Sequence, residues 1–253
     1  MTAYQHPILL VHRDRDLLVA ASGARLLLAL SEAQSRSGTA HLVLTGGSMG
    51  SAILAGAGAS GLLGLVDWSR LHLWWGDERY LPTGHPDRND TQNRAALLDS
   101  LPLDPAKVHP VAGPDRTGSV HASAQLYAGE LAAAATPGQL VPDFDILLLG
   151  VGPDAHVASL FPGHRSLSVT DRAVMGISDS PKSPPDRVTM TFPTLARATQ
   201  TWFLVSGADK ADAVKRSLAG APTNQAPAGT PHGRQRTLWL VDAAAAGQTA
   251  TTE

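Results

Sequence analysis

The sequence predicts an α/β protein built on a mostly parallel sheet with helices on both faces. Three observations carry that reading. Short apolar runs alternate with helix-length segments along the chain, the order that produces parallel strands joined by crossover helices. Most of those runs are continuously apolar rather than alternating, as strands covered on both faces are. Four of them end in glycine-containing turns that carry polar or charged residues, and in an open parallel sheet ligands bind beyond the strand C-termini.

The first strand is expected at residues 7–11. Leu17, Ala21, Ala24 and Leu28 follow at helical spacing and mark one face of a helix. A strand at 41–45 runs into Gly46, Gly47 and Ser48, and a strand at 71–75 runs into Gly76, Asp77, Glu78 and Arg79. Residues 81–90 read as a surface loop. The Ala-rich segment 119–135 carries Leu126 and Leu131 and stops before Pro137 and Gly138, as a helix does. The strand at 144–149 breaks at Gly150 and Gly152. A helix is expected from near Ala155, closed by Pro162 and Gly163. Residues 179–186, with three prolines, form a second loop. Residues 187–192 alternate and predict an additional strand, at an edge or antiparallel. The strand at 201–206 passes through Gly207 into a helix at 208–218, with Gly220 just past its end. A Pro- and Gly-rich loop at 222–235 precedes the last strand at 237–241. About ten residues at the end, rich in Ala, Gly and Thr, are expected to fray. No repeat or linker interrupts the pattern, so one domain is expected over residues 1–253.

Composition narrows the function. The net charge of −2 gives no global field for nucleic acid or an anionic membrane, so anion binding must be local. The absence of cysteine excludes disulfides, thiolate catalysis and thiolate zinc sites. The N-terminus lacks the basic segment and apolar core of a signal peptide. The uncharged run 51–66 is broken by glycines and is shorter than the ~20 residues that span a bilayer. A cytoplasmic protein with no membrane or nucleic-acid partner is expected; protein partners and oligomeric state are not readable.

The chemistry gathers at the strand ends. Gly46, Gly47 and Ser48 offer backbone N–H groups and a hydroxyl suited to a phosphate, without the Gly-Lys-Ser/Thr of a Walker loop or a dinucleotide fingerprint. The same glycines equally describe a plain tight turn. Arg79 suits bidentate binding of an anion, or else pairs internally with Asp77 or Glu78. Lys210 and Arg187 are further candidate anion ligands, with a solvated or structural role as the alternative. His156 is the candidate base, since a neutral imidazole accepts a proton near neutral pH. Asp154 either orients His156 or caps the expected helix. His164 reads as structural. No H-x-x-x-H or H-E-x-x-H spacing supports a metal site. Ser48 and Ser159 lack the Gly-x-Ser-x-Gly elbow of a nucleophilic serine.

Taken together, these segments resemble the 6-phosphogluconolactonase family. The resemblance rests on Leu44 to Ser48, Trp75 to Arg79 with His85 to Asn89, Gly150 to Gly163, Arg187 to Thr191, Gly207 to Lys210, and Leu238 to Asp242. It implies a three-layer α/β/α fold with a mostly parallel central sheet, related to glucosamine-6-phosphate deaminase and ribose-5-phosphate isomerase. It implies no metal and no organic cofactor. The activity implied is hydrolysis of 6-phospho-D-glucono-1,5-lactone, a small sugar-phosphate lactone, in the oxidative pentose phosphate pathway. His156 is then the general base, Arg79 and Lys210 phosphate ligands, and the turn of Gly46, Gly47 and Ser48 the phosphate end; Arg187 falls at the substrate site. Backbone N–H groups of the 150–156 turn are candidates for stabilising the oxyanion. Two departures stand out: Ala155 replaces the usual glycine between acid and histidine, and Met49 and Gly50 replace Thr and Pro. The rival readings are an isomerase or deaminase of the same superfamily, and a sugar-phosphate sensor without activity. The Ser159-Leu160-Phe161-Pro162-Gly163 continuation favours the lactonase.

Overall fold

The computed structural model describes residues 6–247. Six parallel strands form the central sheet in the order β1 (Ile8–His12), β9 (Arg236–Asp242), β8 (Ala198–Val205), β5 (Phe144–Gly150), β2 (Ala40–Leu44) and β3 (Leu71–Trp75). The continuous apolar runs have the expected cause, because each strand except the exposed edge strand β1 feeds two cores. Val43, Trp74, Leu147, Phe203 and Trp239 face one core, and their neighbours Leu42, Leu73, Leu148, Trp202 and Leu240 face the other. Alternate side chains of a strand point to opposite faces, so both sets must be apolar.

Helices α1 (Arg15–Ser37) and α2 (Gly47–Ala59) cover the second of these faces, with the start of the chain's third helix, α3 (Asn89–Ala96), against α2. Helix α1 lies where the pattern placed it but presents a different face. Leu17 and Leu28 are exposed, whereas Leu18, Leu26, Leu27, Leu30 and Ala33 are buried. The buried stripe wins because it is the larger one and contains Gly23. There the backbone of α2 approaches so closely that a Cβ would lie 2.5 Å from the Ala57 nitrogen. Helix α2 itself was not anticipated, because its glycines break any apolar periodicity.

The opposite face is covered by α4 (Val120–Ala134), α6 (Ala211–Leu218) and a second, three-stranded sheet. Ser119 caps α4 by accepting from the Ala122 N–H. The small sheet is antiparallel, in the order β4 (Asp77–Arg79), β7 (Arg187–Met190) and β6 (Val174–Ile177). The alternating segment at 187–192 is therefore antiparallel, but it is central in its own sheet rather than an edge. A one-turn helix α5 (Phe192–Leu195) follows it.

Two further expectations are corrected. No helix follows Ala155; residues 151–164 form successive turns. Val157, Leu160 and Phe161, at 1% exposure or less, anchor them in the core at a spacing that mimics a helix face. The chain end is folded through 247: Asp242 accepts from the Ala245 N–H at 2.7 Å, and Ala245 is fully buried. The remaining residues of the expected frayed end, 248–253, lie outside the described residues. No helix among the described residues is long and apolar enough to cross a membrane.

Candidate active site

The sheet reverses its winding between β2 and β5. From β2 the chain moves outward to β3, while from β5 it moves the other way to β8 and then β9. Strand-end loops diverge at such a point and leave a crevice. Here the crevice is a cavity of about 260 Å³. Gly46, Gly47, Ser48, Arg79, His156, Arg187 and Lys210 all line it. Asp154 stands behind His156, outside the lining.

One wall is the N-terminus of α2. Gly46 is its N-cap residue and offers no side-chain cap, so the first N–H groups of the helix face the crevice with the positive end of its dipole. Both glycines are required. Gly47 has φ 74°, and a Cβ on Gly46 would lie 1.8 Å from Asn89 Oδ1. Lys210 stands at the N-cap of α6 and pairs with Asp209 at 3.1 Å. Its loop is tied to β9 by Asp242, which accepts from Ser206 Oγ at 2.5 Å and from the Gly207 N–H at 3.1 Å.

The acids beside Arg79 have separate tasks. Arg79 donates to the Asp87 carbonyl at 2.5 Å and pairs with neither Asp77 nor Glu78. Glu78 is fully buried and accepts from the N–H groups of Arg79, Asn89 and Asp90 at 2.7–2.9 Å, which fixes the start of α3. Burial pushes its carboxyl up to about 7, against the pull of Arg88 and these N–H donors. Asp77 accepts from Ser159 Oγ at 2.6 Å and so ties β4 to the loop that carries His156.

That loop is closed by short bonds. The Gly152 N–H donates to the His156 carbonyl at 3.0 Å and the Ala155 N–H to the Gly152 carbonyl at 2.9 Å. The Gly150 N–H donates to Thr45 Oγ1 at 3.3 Å. Three N–H groups considered for the oxyanion are thus committed within the protein. Gly152 leaves room for the imidazole, since a Cβ there would lie 2.0 Å from His156 Nδ1. Nδ1 is 2.6 Å from Asp154 Oδ1. Burial by itself would raise the Asp154 carboxyl. The His156 hydrogen bond and the Lys182 ammonium outweigh it and hold the group well below the usual carboxylate range. An ionised Asp154 accepts a proton-bearing Nδ1, which leaves the Nε2 lone pair free.

Arg187 is placed differently from a simple anion ligand. Its guanidinium donates to the carbonyls of Lys182, Ser183 and Pro184 at 2.7–3.3 Å and so clamps the proline-rich loop against β7. Lys182, Asp77 and Asn89 line the crevice and escaped the sequence reading. Asp77 and Asn89 lay inside quoted motifs; Lys182 had only its proline-rich setting. Among the described residues, no cluster of His, Asp and Glu is placed to hold a metal ion.

The fold and this crevice define an α/β protein with a cavity lined by cations and a helix N-terminus at the switch point of its sheet. The comparisons with known proteins make it particular. Residues 13–239 match the family model described as glucosamine-6-phosphate isomerases/6-phosphogluconolactonase, and the chain belongs to that family. It is 52% identical to the 6-phosphogluconolactonase of Streptomyces coelicolor over 96% of this chain and 94% of the relative. It is 44% identical to that of Mycobacterium tuberculosis, over 93% and 95%. The solved 6-phosphogluconolactonase of Trypanosoma brucei superposes with a TM-score of 0.81 at 27% identity, covering 96% of this chain and 99% of that one.

Proposed function

We propose that the chain hydrolyses 6-phospho-D-glucono-1,5-lactone to 6-phospho-D-gluconate, the lactonase step of the oxidative pentose phosphate pathway, with His156 as the base. The lactonase assignment is supported by curated relatives of that name aligned over nearly the whole chain. The observation that carries the chemistry is the Asp154–His156 pair, which opens onto the same crevice as the N-terminus of α2, Arg79 and Lys210.

Asp154 holds the Nδ1 proton, so Nε2 of neutral His156 takes a proton from water as the oxygen attacks C1 of the lactone. The bond from C1 to the ring oxygen then breaks, and the imidazolium returns its proton to that oxygen. Water is consumed and the product acid ionises. The phosphate, at the other end of the substrate, is held by the α2 N–H groups, Arg79 and Lys210, and its binding orients C1 toward His156. Arg187 contributes by holding the wall of the crevice. A cytoplasmic setting belongs to the same proposal.

Freshly prepared lactone, with proton release as the readout, tests the reading. His156→Ala is expected to fold and to lose about 10²–10⁴-fold in turnover. Arg79→Ala is expected chiefly to raise KM for the phosphorylated lactone while leaving the unphosphorylated lactone nearly unaffected. Wild-type turnover in His156→Ala would remove the base from His156, and no acceleration by the wild-type protein would remove the lactonase.

A further inference from the structure

Resting on the reading of His156 as base, we infer that Lys182 is a positioning residue of the acid–base pair, which shares the Asp154 carboxylate with His156 and thereby keeps the imidazole neutral and ready to accept a proton. The geometry is a three-membered cluster. Lys182 Nζ lies 3.2 Å from Asp154 Oδ1, the same oxygen that His156 Nδ1 meets at 2.6 Å, and 3.2 Å from Nδ1 itself. With Nδ1 protonated toward Asp154, that nitrogen has no lone pair for the ammonium to donate to. Its contact with Nδ1 is therefore the approach of one positive group to another that would become positive. A carboxylate alone beside a histidine stabilises the imidazolium; a carboxylate already paired with an ammonium does so much less.

The loop is constructed to hold that ammonium in place. Lys182 lies on the 179–186 segment, whose carbonyls at 182, 183 and 184 are all taken by Arg187. Ser180 Oγ accepts from the Lys182 N–H at 3.2 Å and donates to the Lys182 carbonyl at 3.0 Å. Arg187 is 6% exposed and anchored in β7, so the loop cannot swing away without breaking several bonds. The charged groups sharing the crevice with His156 are Asp154 behind its ring, Lys182 from this loop, Asp77 and Arg79 from β4, Arg187 from β7 and Lys210 from the start of α6. Of these, only Lys182 and Asp154 touch the imidazole, and they carry opposite charges.

The test is the pH profile of kcat/KM in Lys182→Met, which keeps the length of the side chain and removes its charge, with Lys182→Arg as the conservative partner. In Lys182→Met the acid limb is expected to move up by about one pH unit, a tenfold change in the proton affinity of the catalytic form. Lys182→Arg is expected to restore the limb. A limb that stays at the wild-type position in Lys182→Met overturns the inference. So does a variant whose only change is a higher KM, which would make Lys182 a substrate ligand. His156→Ala, assayed alongside, separates the two readings. Its loss of turnover with an unmoved Lys182→Met limb sinks the role of Lys182 alone, and its retention of turnover sinks the base.

Discussion

At the scale of single residues, the loop holding His156 contains a backbone choice that the sequence could only flag. Ala155 adopts φ 69°, and Ala158 φ 48°. The left-handed region costs an L-residue roughly 1–2 kcal/mol, which glycine avoids. Yet Ala155 is completely buried, and its methyl group packs in the core. Removing the methyl forfeits about 0.8 kcal/mol of burial, and glycine adds about 0.5–1 kcal/mol of unfolded-state entropy. The opposing amounts are similar, so Ala155→Gly is expected to change stability by less than about 1 kcal/mol. Ala155→Val meets the strained φ with a branched side chain and no space, and overpacking alone costs about 1–3 kcal/mol. Denaturant unfolding of the two variants checks the pair; a tolerated valine would mean that the loop is not held as described. What was readable from sequence at this scale was position, such as an imidazole placed just after a strand. Arg187 was harder: a guanidinium looks the same in sequence whether it meets a phosphate or three carbonyls.

At the scale of elements, the N-terminal ends of β2 and β3 carry a histidine cluster, away from the crevice. His41 and His72 stack at 4.4 Å between ring centroids, and His109 stacks on Trp74 at 3.8 Å. His72 and His109 share a hydrogen bond of 3.2 Å, and Trp74 donates to His41 at 3.2 Å. Burial, reinforced by the neighbouring imidazoles, pushes His41 and His109 from the ordinary 6.5 down to about 4, and burial also lowers His72. The folded values lie below the unfolded one, so acidification protonates the unfolded chain first. The stability is complete above about 6.5 and is lost as pH falls toward about 4. Glu78, raised by burial to about 7, acts with opposite sign in that window, because its folded form takes up the proton first. His232 is lowered by burial as well, while Glu130 and Asp145 are raised by it like Glu78; the histidines titrate within this window when unfolded, and a net loss of melting temperature is expected between about pH 7 and about pH 5. His109→Phe retains the stack on Trp74 and removes one titrating ring. It is expected to lose less over that interval than the wild type, and an equal loss would clear the cluster of responsibility. In sequence these histidines were simply unassigned members of a set of ten.

At the scale of the whole molecule, the crevice is a joint product of both sheets. Its walls come from the ends of β2, β5 and β8, from β4 and β7 of the small sheet, and from the proline-rich loop. A ligand there bridges segments far apart in the chain, so it stabilises the fold as a unit. Inorganic phosphate or the product 6-phosphogluconate is expected to raise the melting temperature, by the equivalent of about 2.7 kcal/mol at a hundred times its Kd. Arg79→Ala is expected to weaken the shift, and added salt to do the same by screening. A melting temperature indifferent to both ligands would argue that the anion site is not where the α2 N-terminus, Arg79 and Lys210 meet.

What the sequence determined by itself was whatever depends on short stretches of chain. Burial on both faces makes a strand continuously apolar, so five strands of the main sheet were legible to within a few residues, and the exposed edge strand β1 was legible from its apolar run alone. Their C-terminal turns displayed the acid, imidazole and cations that belong on a ligand edge. The tertiary structure alone decided what depends on packing at a distance. Helix α2 exists despite its glycines because α1 needs that close approach, and the segment after Ala155 is a set of turns because the core takes its apolar residues singly. Lys182 meets Asp154 only because Arg187, anchored in another sheet, holds its loop there. Periodicity is a local property and survives in a linear reading, whereas these contacts arise only when distant segments are brought to the same edge.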